Sequence, residues 1–521
     1  MLGNTLHGNW ESPRLPGKHT GLHWEVQGRK PMIDGRGQSD GGIVPEKSPN
    51  NPQGAEGMEG RPPVKGKAQE RPSPRTQSRT EGMQAVLARI RKAVQRDKEG
   101  KLTALYHHVY NIEHLKAATY QLKKKAAAGV DGETWQHYGQ ELEANLEDLS
   151  ERLGRGANRA APVRRVYIPK ADGRLRGLGI PALEDKIVES VVAQIFSVIW
   201  EEEFLGFSYG FRPGRSLHLA LDALTVGIER KRVRRVLEVD IRAYFDTISH
   251  EWLMKFIEHR IGDRRILDLI QKWLRAGVLE DGSWTQSEEG TPQGNLISPV
   301  LANIYLHYVF DQWAHQWRKQ KARGDMIIVR YADDIVVGYE YRAEAEQFKE
   351  ELAERLKKFN LKLQDEKTRL IEFGRYAAED RVNRREGKPE TFNFLGFTHI
   401  CGKKRKGQFC VLRQTMKKRM RAKLKALNIE MKQRMHIPIP EQGQWLRSVL
   451  TGHYQYYGVP RNSPAMNAFR KEVVRLWKRA LERRSQRGSI SWERMTRLTQ
   501  KWLPNPHICQ PYPEQRLCVT T

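Results

Sequence analysis

Two neighbouring aspartates, Asp333 and Asp334, stand inside Val329-Arg330-Tyr331-Ala332-Asp333-Asp334-Ile335-Val336-Val337, where apolar runs flank a short polar tip. That pattern predicts a hairpin whose turn presents both acids. Adjacent like charges repel and raise each other's pKa, and a turn needs at most one Asp, so the pair serves folding badly. A divalent cation such as Mg²⁺ removes the conflict, because it takes hard oxygen ligands. A third acid, Asp240, lies about ninety residues earlier in Leu237-Glu238-Val239-Asp240-Ile241-Arg242-Ala243-Tyr244-Phe245-Asp246. Leu237, Val239 and Ile241 alternate onto one strand face and leave Asp240 on the other. Alone, that carboxylate is equally well explained by an ion pair with an arginine. Together, three carboxylates can hold two ions about 4 Å apart, one polarising an attacking hydroxyl and one on the leaving phosphates.

The elements that must position these acids follow from periodicity. β-like runs at Val163–Ile168, Val236–Ile241, Met326–Arg330 and Ile335–Tyr339 alternate with helical patterns at Asp185–Glu203, His250–Ile261, Pro299–Trp317 and Ala343–Phe359. This is an α+β pattern. Within the second of these groups, apolar positions 187, 188, 191, 192, 195 and 199 make one core-facing stripe, interrupted by Glu189 and Gln194. No run is apolar for the roughly 18–20 residues that a membrane span requires. Upstream, Met83–Arg96, Leu105–Lys125 and Glu141–Leu153 also read as helices, with a turn-rich loop at Ala126–Gly132. Residues 1–80 hold 13 Gly and 10 Pro and no apolar period, so a leader over 1–82 is expected to be disordered.

The 521 residues carry 90 Lys+Arg against 62 Asp+Glu, a net charge of +28 that points to a polyanion, nucleic acid before a membrane surface. The excess is concentrated late. Residues 401–435 hold 13 Lys/Arg and one acid, and residues 470–487 hold eight Lys/Arg and two Glu among apolar positions. Two such runs on successive helices suit a domain laid against phosphates. Four cysteines, paired nine apart as Cys401/Cys410 and Cys509/Cys518, lack the spacing of a zinc knuckle. They read as reduced thiols of a cytoplasmic protein.

A strand-borne Asp followed by a hairpin Asp-Asp is the palm arrangement of template-directed polymerases, and Tyr331-Ala332-Asp333-Asp334 resembles the signature box of reverse transcriptases. Further blocks narrow the resemblance. Arg165-Val-Tyr-Ile-Pro169-Lys170, Gly179-Ile-Pro181, Ser208-Tyr-Gly-Phe-Arg-Pro-Gly-Arg-Ser216, Asp240–His250, Gly290-Thr-Pro-Gln-Gly-Asn295, Ser298-Pro299 and Phe394-Leu-Gly-Phe397 stand in the order of group II intron-encoded proteins. Ala128-Gly-Val-Asp131-Gly132 is similar to their extra N-terminal block and Gly452-His-Tyr-Gln-Tyr-Tyr-Gly458 to their maturase segment. The resemblance implies a right-hand polymerase, with an N-terminal extension over 83–160, fingers and an antiparallel palm sheet over 161–398, and an α-helical thumb/maturase over 399–487. A short tail over 488–521 is a candidate DNA contact. The Cys/His cluster of a C-terminal endonuclease is not expected.

The resemblance also implies roles. Asp240, Asp333 and Asp334 match the catalytic, metal-binding set for two Mg²⁺ ions (Mn²⁺ being the alternative), with Ile241 offering only its carbonyl. Lys170 and Arg176 match residues that grip the triphosphate of a dNTP, with Gly173 as the hinge of their hairpin tip. Phe245 matches the aromatic under the incoming sugar, where an ordinary core Phe is the alternative, and Gln293 belongs to the segment closing over base and sugar. Arg212 and Arg215 are similar to template or primer phosphate contacts, and Lys417, Lys418, Arg421, Tyr454 and Tyr457 to a surface gripping RNA. Asp246 and Ser249 read as turn and helix-cap residues. The implied partners are group II intron RNA, an RNA template with a DNA primer or target, and dNTPs, with no membrane. Two alternatives stay open: a splicing-only maturase without polymerase activity, and a related enzyme recruited to host repair or defence.

Overall fold

Apolar residues at helical spacing build the first layer. The computed structural model describes residues 74–169, 175–280, 282–286, 288–484 and 489–517. It opens with α1 (Pro74–Arg96), α2 (Tyr106–Val109), α3 (Ile112–Gln121), α4 (Trp135–Tyr138) and α5 (Leu142–Gly154). Met83, Val86, Leu87, Ile90 and Val94 bury one face of α1. The helix begins at Pro74, inside the segment expected to lack structure, because proline fits a helix's first turn and the burial beyond it supports the extension. Residues 1–73 of that leader lie outside the described residues.

Next come β1 (Val163–Pro169), β2 (Leu175–Ile180), α6 (Leu183–Glu201), α7 (Leu217–Arg230), β3 (Arg235–Val239), α8 (His250–Glu258), α9 (Arg264–Arg275), β4 (Val278–Glu280) and β5 (Ser283–Thr285). They are followed by α10 (Ser298–Leu306), a π-helical turn (His307–Asp311), α11 (Gln312–Gln320), β6 (Met326–Tyr331), β7 (Asp334–Tyr339), α12 (Arg342–Lys358), β8 (Arg369–Glu372) and α13 (Arg375–Asn383). The central sheet has the order β6-β7-β3-β8, all antiparallel, and a second sheet the order β2-β1-β4-β5. The period of two decides what each face of the central sheet meets. Leu237, Val239, Ile328 and Val337 join a core with the N-terminal helices, α6 and α8–α12. Val236, Ile327, Val329 and Val336 face the other way, onto α7. The α6 stripe of Ile187, Val188, Val191, Val192, Ile195 and Ile199 is fully buried, as its spacing predicts.

The chain ends with β9 (Phe392–Phe394), β10 (Phe397–Lys403), β11 (Phe409–Thr415), α14 (Lys417–Gln433), α15 (Ile439–Tyr457), α16 (Ser463–Glu482), α17 (Trp492–Trp502) and α18 (Pro513–Arg516). Residues 399–415, expected at the start of a helical domain, are instead strands. Phe397 and Val411 bury onto α7, so a period of two wins there. From Lys417 a separate core forms around Leu427, Leu446, Phe469, Trp477 and Met495. The tail after α17 returns to α7, where Arg516 and Arg413 both pair with the buried Asp222. Among the described residues, no helix is long and apolar enough to cross a membrane.

Candidate active site

The register of the central sheet gathers the acids. In the β6–β7 hairpin, Tyr331 pairs with Asp334, leaving Ala332 and Asp333 as the two turn residues. Ala332 has φ of +55°, a left-handed conformation that non-glycine residues adopt under constraint. On the other side of β7, Val239 pairs with Ile335, so the next step along both strands carries Asp240 to the level of Asp334. The carbonyl of Asp240 accepts the Gln364 N–H at 2.8 Å, and its carboxylate takes Lys367 Nζ at 3.0 Å. Ile241 buries its side chain, so only its backbone remains for a ligand role.

The carboxylates feel one another. Burial raises the Asp333 carboxyl and Asp240 raises it further, while Arg176 and Arg330 pull it down. Asp334 reaches solvent, yet protein crowds it closely. That crowding, then Asp333, then Asp240, push its carboxyl up to about 7, against Arg419 and Lys367. Among the described residues, no three His, Cys, Asp or Glu side chains form a ready-made ligand cage. Asp240 is instead turned onto a lysine, and the acids share an electrostatic field rather than a common point.

A buried network that motif spacing does not reveal holds the turn. Arg330 is fully buried and donates from Nε and Nη2 to Asp311 at 2.7 and 2.5 Å, and from Nη1 to Asn303 Oδ1 at 2.9 Å and the Ala332 carbonyl at 3.0 Å. Asp311 closes the π-helical turn, a geometry that often marks functional sites. Asn303 donates to the Gly210 carbonyl at 2.6 Å. A Cβ at Gly210 would stand 2.3 Å from the Ala332 nitrogen, so only glycine lets this loop lie against the turn. Arg330 lies within the acidic block itself, but nothing in the sequence pairs it with an acid on a helix. Lys367 and Arg419 are two further cations at the site that spacing misses. Arg419 lies close enough to Tyr456 and Tyr457 that its charge opposes the rise that burial causes in their hydroxyl pKa.

Two of the residues predicted to hold a nucleotide, Phe245 and Gln293, are tied into one loop assembly with β2. Arg176 lies on β2 opposite Ile168, exposed, and near enough to Asp333 to act on its charge. Lys170 and Gly173 lie outside the described residues. Phe245 is half-buried in a 3₁₀ turn at Tyr244–Asp246, and its carbonyl accepts the Thr291 N–H at 2.8 Å. The Gln293 carbonyl accepts the Gly179 N–H at 2.7 Å. Gly294, with φ of +128°, packs so closely on Gly179 that a Cβ would fall 2.2 Å from its oxygen. Thus β2, the Phe245 turn and the Pro292-Gln293-Gly294 segment are joined. Ser249 caps α8 through the Trp252 N–H.

Two assignments need correction. Arg212 is not a phosphate contact: it is buried, pairs with Glu201 through two bonds of 2.9 Å, and gives its remaining donors to the carbonyls of Leu205, Ser208 and Phe204. Glu201, at the end of α6, claims the guanidinium. Tyr454 is likewise no RNA contact, being fully buried in the α14–α17 core with its hydroxyl on the Pro504 carbonyl at 3.2 Å. Arg215 is half-buried, stacks over Tyr209 and donates to the Gly206 carbonyl. Tyr457 is half-buried against Phe397. Lys417, Lys418 and Arg421 are exposed at the start of α14.

Against known proteins, residues 168–399 match the family described as reverse transcriptase (RNA-dependent DNA polymerase). The chain is 42% identical over 215 residues to protein YkfC of Escherichia coli (strain K12), which covers 40% of this chain and 56% of that protein. It is 36% identical over 227 residues to the group II intron-encoded protein LtrA of Lactococcus lactis subsp. cremoris, covering 43% of this chain and 37% of LtrA. A putative COX1/OXI3 intron 1 protein of Saccharomyces cerevisiae is 29% identical over 313 residues, which is 50% of this chain and 36% of that protein. In each case the match spans little more than half of the curated relative, or less.

Proposed function

We propose that this chain, whose residues 168–399 match the reverse transcriptase family, is a group II intron-encoded reverse transcriptase that synthesises DNA on an RNA template and binds intron RNA as a maturase to support splicing. The observation that carries the reading is the strand register that sets Asp240 beside Asp333 and Asp334 at the mouth of a hairpin. In this reading, 161–398 form fingers and palm, 399–487 a thumb/maturase that begins as a hairpin, and 83–160 an extension. Mobility then follows as target-primed copying of the intron, with the tail from 488 available to DNA.

Mg²⁺ fits the donor set. Asp240, Asp333 and Asp334 are hard oxygen donors; burial first, and then the charges of Asp333 and Asp240, lift the Asp334 carboxyl to about 7, a cost that a divalent cation relieves. When bound, the ions polarise the primer hydroxyl and neutralise charge developing on the leaving pyrophosphate. The chain's own residues do the rest. Arg176, with Lys170, binds the triphosphate. Phe245 lies under the deoxyribose, where its ring would clash with a 2′-hydroxyl and favour dNTP over rNTP. Gln293 closes over base and sugar. Arg330 keeps Asp333 aimed through the Ala332 carbonyl. The exposed cations of α14 take RNA phosphates without reading sequence.

Extension of a DNA primer on an RNA template with dNTPs and Mg²⁺ tests this. Synthesis by the wild type that disappears in the Asp333→Ala, Asp334→Ala double variant is expected. Synthesis surviving in the double variant refutes the site. No synthesis by the wild type favours the splicing-only alternative.

A further inference from the structure

One fully buried acid has no part in the chemistry above. Glu189 sits on the core face of α6 with no exposed surface. Its Oε1 accepts Asn295 Nδ2 at 2.8 Å and its Oε2 accepts the Leu296 N–H at 2.7 Å, and the Ile297 N–H points to the same carboxyl. These donors form the turn between Gly294 and the start of α10. Burial first, then Asp185 one helical turn earlier, raise the Glu189 carboxyl to about 8 in spite of the three N–H groups. A buried acid whose pKa is raised this far costs stability rather than supplying it.

Its place in the fold suggests another use. The loop that carries Gln293 is tied at its front to the Phe245 carbonyl through Thr291, and in its middle to β2 through Gly179. Its rear is held by Glu189, from a rigid core helix more than a hundred residues away. The Ser298 hydroxyl closes the same turn on the Pro292 carbonyl at 2.9 Å. Front and middle anchors lie on a turn and on a two-sided hairpin strand, whereas the apolar face of α6 is packed in the core.

We propose that Glu189 is a positioning residue for nucleotide binding, anchoring the Pro292-Gln293-Gly294 loop from behind so that Gln293 is held at the depth where a dNTP is closed upon. The inference rests on the reading of Gln293 as a nucleotide contact. A glutamine in its place keeps the shape but offers one acceptor and turns an NH₂ toward N–H donors.

Steady-state primer extension at saturating RNA template and primer tests it, with dNTP varied. Glu189→Gln should raise the dNTP KM about tenfold while kcat stays within about twofold. Affinity for the template–primer, measured separately, should not move. Asn295→Ala, which removes one of the three donors, should raise KM in the same direction by less, and it decides the matter should Glu189→Gln fail to fold. Gln293→Ala is the control. If it raises KM while neither Glu189→Gln nor Asn295→Ala does, the anchor is refuted and the nucleotide site stands. If Gln293→Ala leaves KM unchanged, the nucleotide role of the loop falls, and the inference with it. A loss of kcat and template affinity together, at unchanged KM, would also overturn it, since that is what general damage to the core produces.

Discussion

The acids of the β6–β7 turn and the cations of α14 are both dense runs of like charge, and the protein holds them in opposite ways. At the turn, the backbone support is buried and specific: Arg330 reaches Asp311, Asn303 and the Ala332 carbonyl with no exposed surface of its own. Burial first, and then neighbouring carboxylates, raise the pKa of the acids it aims. On α14, Lys417, Lys418 and Arg421 project into solvent and only Leu427 and Met431 are buried. Like charge is expensive in the first setting and nearly free in the second. The lesson is that concentration against a fixed backbone signals chemistry, whereas spread along a helix signals a polyanion bound by sum.

That contrast can be broken by substitution. Arg330→Lys should leave a charge but lose the two-pronged grip on Asp311, and primer extension should fall by roughly 10–100-fold, as supports of metal ligands commonly show. An unchanged rate would mean the turn holds itself. Replacing Lys417, Lys418 and Arg421 together by alanine should leave the rate at saturating RNA near wild type. The plot of log RNA affinity against log salt should flatten by about 2, and wild-type affinity should drop by orders of magnitude between 50 and 200 mM salt. A flat wild-type response would make α14 a merely solvated face. Arg212→Ala should lower Tm without altering that salt slope, because its guanidinium is spent on Glu201 and not on phosphate.

The smallest effect concerns Asp334. Its folded-state pKa is raised, so its unfavourable contribution is absent below about pH 4 and grows as pH rises through about 7. In EDTA, Asp334→Asn should therefore raise Tm by ~2 °C at pH 8 and hardly at all near pH 4. The expected gain is modest because the carboxylate is solvent-accessible and its repulsion screened. A lower Tm at pH 8 would show that Asp334 is not under electrostatic strain.

Much of this was legible in the residues themselves. The alternation of Leu237, Val239 and Ile241 is enough to place β3 and to turn Asp240 off the core face, and the stripe from Ile187 to Ile199 declares its helix. What local pattern cannot supply is a partner fixed by tertiary packing. Arg212 and Arg215 stand three apart in one loop and look alike, yet only the first lies where α6 ends in Glu201. Tyr454 and Tyr457 are one helical turn apart, and one is in the core while the other is half-buried. The pairing of Arg330 with Asp311 depends on a π-helical turn that no periodicity announces. The leader's boundary shifted for the same reason, since polar residues ahead of Met83 continue a helix that later residues stabilise.

Counting Mn²⁺ by electron paramagnetic resonance, in the complex with an RNA template, a DNA primer and a non-hydrolysable dNTP analogue, addresses the site itself. Wild type should hold about two ions, and Asp240→Ala should lose at least one along with synthesis. Full occupancy in both Asp240→Ala and the Asp333→Ala, Asp334→Ala variant would contradict it, because the ions would then be bound elsewhere.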